Sequence, residues 1–177
     1  MSASTLFSLA AATAYGLQLP EPGPLSATLR SVEQQLGALP SEVALAFDAA
    51  GQLRLFKAGE ETKVAFAEAE LLLLRDTIFT HNHPSQSFLT VRDIEFACHS
   101  NVAQLRAVAG AAVYVLTRPA TGWPLERCRL LVATEQARLR KRFQQAVLDY
   151  PQARRQWNAF AHKLVKRLSL PLSQETL

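Results

Sequence analysis

The sequence is poor in the features that mark several common protein classes. Only two of its 177 residues are cysteine, Cys98 and Cys128, too few for the disulfide framework of a small secreted domain. The apolar start of the chain ends in small residues, as signal peptides do, but no basic residue precedes Arg30, so the positively charged beginning of such a peptide is missing. No apolar run approaches the roughly 18 residues of a membrane span. Internal repeats and low-complexity tracts are absent. The expectation is a soluble protein with no convincing signal peptide and no membrane partner.

What is present is a chain of 49% hydrophobic residues, enough for one full core with a helical appendage. Its formal charge of +4 is unevenly spread. Residues 126–167 hold eleven Lys and Arg against Glu126, Glu135 and Asp149. The basic positions interleave with apolar ones at helical spacing, which describes solvated helix faces; an acidic partner or nucleic acid is the alternative use of such helices.

Helices are expected before the breaker cluster Pro20–Pro24, from Ser26 as cap to Leu36, and over Ala67–Arg75. Alternation in Glu42–Asp48 and Gln52–Phe56 around Gly51 predicts a hairpin, with Glu42, Ala44 and Ala46 on one face and Val43, Leu45 and Phe47 on the other. Further strands are expected at Thr62–Phe66, Thr77–His81, Gln104–Val108, Ala111–Thr117 and Arg127–Val132. Two amphipathic helices, Glu135–Asp149 and Gln152–Leu168, precede a frayed end. The pattern is α+β, a mixed β-sheet flanked by helices. It divides into an N-terminal helical segment 1–40, a domain 41–133 and a basic C-terminal helical extension 134–177.

The chemistry concentrates in Thr80-His81-Asn82-His83-Pro84 and the residues up to Asp93. On a strand, residues i and i+2 share a face, so His81 and His83 present both rings together. Thr90 and Asp93 have the spacing of a helix cap and first-turn acid, which lets Asp93 turn back as a third ligand. Two imidazoles and a carboxylate leave one position of a zinc tetrahedron open, the catalytic pattern. Glu42, beside small side chains at a strand start, is the best general base. Glu33, Glu60, Glu61, Glu68 and Glu70 read as helix-surface or loop residues. Thr90 has two available roles, helix cap and hydroxyl donor to an oxyanion.

This string resembles the motif of the JAMM (MPN+, JAB) metalloproteases: an upstream Glu, then His-x-His-Pro, a spacer, Ser, two residues and Asp. It is most similar to the RadC-like branch and to the JAB-like domains of phage head-morphogenesis proteins and bacterial polymorphic toxins, sharing with the latter a spacer of six residues between His83 and Thr90. The resemblance covers about Glu42 to Thr117. It implies a JAB/MPN-like fold with a cytidine-deaminase-like core, zinc on His81, His83 and Asp93, Glu42 as base, and hydrolysis of a peptide or isopeptide bond in a protein or peptide substrate. It also implies a bacterial or phage setting, cytoplasmic or delivered to a target cell as an effector or toxin domain. Thr90 replaces the family's Ser. Gln86 stands where that branch commonly has Gly, which implies another path for the loop.

Two other readings stand beside this one. A RadC-like nuclease would use the basic tail, although no second carboxylate cluster offers a two-metal site. An inactive binding module would use the basic helices alone. Cys98 reads as core, His99 and His162 as solvated helix residues, Trp123 as a loop anchor, and Trp157, Phe160 and Leu164 as one packing face.

Overall fold

The computed structural model describes residues 3–20, 24–59 and 64–177. The chain is α+β: a six-stranded mixed sheet lies between helices, with strand order β2-β1-β3-β4-β5-β6. In chain order the elements are α1 (Ala3–Ala14), α2 (Leu25–Leu36), β1 (Val43–Phe47), β2 (Leu53–Ala58), α3 (Glu68–Leu72), β3 (Ile78–Asn82), α4 (Val91–Ser100), β4 (Gln104–Ala109), β5 (Ala112–Thr117), α5 (Leu125–Gln144), α6 (Tyr150–Arg167) and β6 (Leu172–Thr176). All neighbours pair antiparallel except β3 and β4, which run parallel. A parallel pair needs a crossover, and α4 supplies it.

The alternation in β1 sorts its side chains into two cores. Val43, Leu45 and Phe47 join Val108, Val113 and Val115 beneath Leu29, Val32 and Leu36 of α2. Ala44 and Ala46 face the other way, with Phe79, Leu105 and Leu116, against Ile94 and Ala97 of α4, Val132 of α5 and Leu164 of α6. The hairpin between β1 and β2 closes as its sequence predicts: Asp48 Oδ1 accepts from the Ala50 and Gln52 N–H groups, each at 3.0 Å, and Gly51 takes φ 77°, a conformation glycine adopts without steric cost.

Several expectations require correction. Arg127–Val132 is not a strand but the start of α5; Cys128, Val132 and Leu139 are its buried positions, at spacings of four and seven that keep one helix face on the core. The 133/134 boundary therefore falls inside a helix. The C-terminal residues are not frayed: Leu172–Thr176 pair with β5 and extend the sheet. Pro24, not Ser26, precedes the first turn of α2. Val64–Phe66 form no strand, and Thr62, Lys63, Glu60 and Glu61 lie outside the described residues. Glu33 is not on a helix surface but buried, a consequence of its place on the same face as Leu29, Val32 and Leu36. Among the described residues no helix is long and apolar enough to cross a membrane.

Candidate metal centre

β3 places its β-branched and aromatic start in the sheet interior and carries the histidines to its C-terminal end. Pairing sets Ala44 of β1 and Ala107 of β4 on either side of His81. Both neighbours are small, which leaves space over the ring. His81 and His83 are buried, with side chains 3% and 6% exposed. Past the loop 84–89, Thr90 caps α4, and its Oγ1 accepts from the Asp93 N–H at 3.3 Å. Asp93 answers in the reciprocal arrangement: its Oδ2 accepts from the Thr90 N–H at 2.6 Å and from the Thr90 hydroxyl at 2.8 Å. A carboxylate in a first helical turn is also favoured by the backbone N–H groups there.

These elements bring the three expected ligands together. One ligand atom from each of His81, His83 and Asp93 lies within 4.8 Å of the others. The two Nε2 atoms are 2.9 Å apart, and each is 3.3 Å from a different oxygen of Asp93. His83 Nδ1 is 2.9 Å from the Ser87 carbonyl. A carbonyl only accepts, so the ring proton sits on Nδ1 and the Nε2 lone pair faces the cluster. His81 Nδ1 is buried with no partner among the described residues. Converging lone pairs at this separation are mutually repulsive unless a proton or cation lies among them. This buried His-His-Asp triad could hold a metal ion, and its donor set suits an imidazole- and carboxylate-binding cation.

Electrostatics tie the group into one unit. Burial alone would push the Asp93 carboxyl up, but the charges and hydrogen bonds of His81 and His83 outweigh it and hold it well below the usual carboxylate range. Burial likewise opposes the charged form of His83, yet its contacts with Asp93, the Ser87 carbonyl and Glu42 raise it above its ordinary value. Glu42 stands in the same field. Burial raises its carboxyl, His81 and His83 partly offset that, and Asp93 adds to it. Continuing the β1–β3 register, in which Ala44 pairs His81, sets Glu42 across from His83.

Two positioning groups escaped the sequence reading. Asn82, on the opposite face from the histidines, brackets Glu42: its Oδ1 accepts from the Val43 N–H at 2.8 Å and its Nδ2 donates to the Ser41 carbonyl at 3.0 Å. An amide inside a strand was the available signal, since it must find partners when buried. Ser87 acts through its backbone carbonyl, for which no sequence signal exists. Gln86, in the loop after the histidines, has φ 53°, the left-handed conformation that favours glycine.

Among the described residues, the remaining candidate acids do not converge here. Glu33 is taken up by Arg106 and Thr80, Glu70 by Lys57 and the Ala67 N–H, and Glu68 is exposed. Cys98 is buried, and its contact with Cys128, together with burial, pushes its thiol up, so it is a protonated core residue. His99 is solvent-exposed. Trp123 is buried and its Nε1 donates to the Val102 carbonyl at 2.8 Å. No protein-family model, curated protein or solved structure matches this chain.

Proposed function

We propose that the chain is a zinc-dependent hydrolase of the JAMM type, with a JAB-like core over residues 41–133, that cleaves a peptide or isopeptide bond. The observation that carries the reading is the convergence of His81, His83 and Asp93 within 4.8 Å with the Glu42 carboxyl in their field. Bound zinc would supply Lewis acidity, activating water near neutral pH and polarising the attacked carbonyl.

The residues divide the remaining work. His81 and His83 offer Nε2 lone pairs from a rigid strand, and the Ser87 carbonyl fixes the tautomer of His83. Asp93 supplies the third ligand and is held in place by Thr90. Glu42 takes the proton of the attacking water and delivers it to the leaving amine; its raised carboxyl pKa brings it closer to the range a base needs at neutral pH. The Thr90 hydroxyl, bound to Asp93, orients the ligand first and reaches an oxyanion only if that bond is exchanged.

The test is metal analysis of the purified wild type beside Glu42→Gln, with peptide, isopeptide-linked and plasmid substrates assayed with and without chelator. The expected result is about one zinc per chain in both proteins, with chelator-sensitive amide hydrolysis in the wild type alone. Absence of zinc after reconstitution at neutral pH would sink the reading. Cleavage of plasmid but not of amide substrates would replace it with a nuclease whose basic α5 and α6 hold the backbone.

A further inference from the structure

The sheet ends in a strand that nothing described covers. β6 pairs with β5 on one side only, and all five of its residues are exposed. The Thr117 N–H donates to the Pro171 carbonyl and the Leu177 N–H to the Ala111 carbonyl. In an antiparallel ladder the bonded positions alternate, so Ser173 and Glu175 turn their main-chain groups to β5. Those of Leu172, Gln174 and Thr176 point to the open edge. An open edge of this kind is a template for another strand.

Beside that edge, on the face shared by His81 and Tyr114, lies a groove of about 440 Å³ lined by Phe88, Tyr114, His162, Leu172, Ser173 and Gln174. Its aromatic wall is fixed. Phe88 stacks on His162 with ring centroids 3.7 Å apart and meets Tyr114 edge-on at 4.9 Å. On α6, Lys166 lies one turn beyond His162 and Arg155 two turns before it, so both fall on the helix face that carries His162, and both are exposed.

We propose that the open edge of β6 and this groove bind an extended, acidic segment of a partner protein by strand addition. The outward N–H and C=O groups of Leu172, Gln174 and Thr176 specify an extended backbone. Alternate side chains of the added strand fall on the groove side, where the aromatic wall suits an apolar residue. Lys166 and Arg155 select acidic side chains two positions to either side of that apolar residue, which share its face. A second copy is the poorer occupant, because two β6 edges related by a two-fold axis normal to the sheet would bring the basic faces of two α6 helices together. The proposal stands independently of hydrolysis, since β6 is three strands from His81 in the sheet order.

The test uses the full chain carrying Asp93→Asn and a dye-labelled ten-residue peptide that places glutamate two positions to either side of a central valine, with threonine at the alternate positions, set against the same peptide with lysine for glutamate. The glutamate peptide binds more tightly, and on binding the amides of Leu172, Gln174 and Thr176 slow in hydrogen exchange while those of Ser173 and Glu175 do not. Gln174→Pro removes an outward N–H that β5 does not use and weakens binding by about tenfold or more. Lys166→Glu keeps the edge and reverses the preference between the peptides. Equal binding of the two peptides, no binding of either, or protection that omits the three amides overturns the proposal. So does concentration-dependent dimerisation that Gln174→Pro abolishes, which would make a second copy the occupant.

Discussion

Two buried polar clusters sit back to back on opposite faces of the sheet and meet at β3, and they differ in completeness. On the α2 face, Arg106 donates from Nε and Nη2 to both oxygens of Glu33, at 2.6 and 3.0 Å. Its remaining donors go to Gln104 and to Glu175 of β6, and the Thr80 hydroxyl adds a bond to Glu33 at 2.9 Å. On the α4 face, one residue along from Thr80, His81 meets His83 and Asp93, with the His83 Nε2 lone pair facing inward and no partner for His81 Nδ1 among the described residues. Every donor of the first cluster is spent within the protein. The second holds acceptors that only a proton or cation satisfies. A buried polar group whose bonds close on themselves is framework, whereas donor atoms that converge on one another could hold a metal ion.

The largest way to break this contrast is to open the closed cluster. Glu33→Ala leaves the Arg106 guanidinium buried with only the partly exposed Glu175 as counter-charge, and a loss of about 3–5 kcal/mol in unfolding free energy is expected from chemical denaturation. Zinc stoichiometry in the fraction that still folds should be unchanged; loss of zinc along with stability would show the two faces to be one unit. Next in size is the effect of closing the open cluster. Zinc at a hundred times its dissociation constant should add about 2.7 kcal/mol to the wild type. His81→Ala should abolish that increment, measured by the same denaturation with and without metal. An equal increment in the variant would place the zinc elsewhere.

The pH response should then separate the two states of the open cluster. His83 lies above its ordinary value of 6.5, because Asp93, the Ser87 carbonyl and Glu42 outweigh the burial that lowers it. Its contribution to the metal-free protein is complete below pH 6.5 and is lost as pH rises through the raised value. Asp93 acts at the other end, where its contribution is present above 3.8 and lost only well into acid. Zinc needs an unprotonated Nε2, so it binds more tightly as pH rises over the window in which the metal-free protein loses stability. Denaturation of the metal-free protein from roughly pH 6 to pH 8, paired with zinc titrations at the same points, checks both slopes. Parallel slopes would contradict proton–metal competition at His83.

The open cluster was more legible in the sequence than the closed one, and the reason is range. His81 and His83 are set by the two-residue period of a strand, and Thr90 with Asp93 by the three-residue spacing of a cap, so local rules place all four. Glu33, Arg106 and Glu175 come from a helix, a central strand and an edge strand, and only the assembled sheet joins them. Two clues existed: Glu33 falls on the apolar face with Leu29, Val32 and Leu36, and Arg106 is a lone charge in the apolar run Gln104–Ala109. The misread elements have the same origin. Leu172–Thr176 has little strand pattern of its own and becomes β6 by pairing with β5, while the apolar Leu130–Val132 favoured a strand until packing of Cys128 and Val132 fixed a helix.

The smallest effect sharpens the comparison at one atom. The Thr90 hydroxyl both caps α4 and donates to Asp93 Oδ2, so Thr90 links a framework role to the open cluster. Thr90→Ala should cost about 1 kcal/mol of stability, the usual loss of a cap. Thr90→Ser should restore most of it, because Ser caps as well as Thr and supplies the same Oγ. If the hydroxyl also orients the ligand carboxylate, Thr90→Ala weakens zinc binding beyond the stability loss, and Thr90→Ser does not. A zinc titration of the three proteins, read beside their denaturation midpoints, distinguishes the roles: stability lost with zinc affinity intact would leave Thr90 as a helix cap and nothing more.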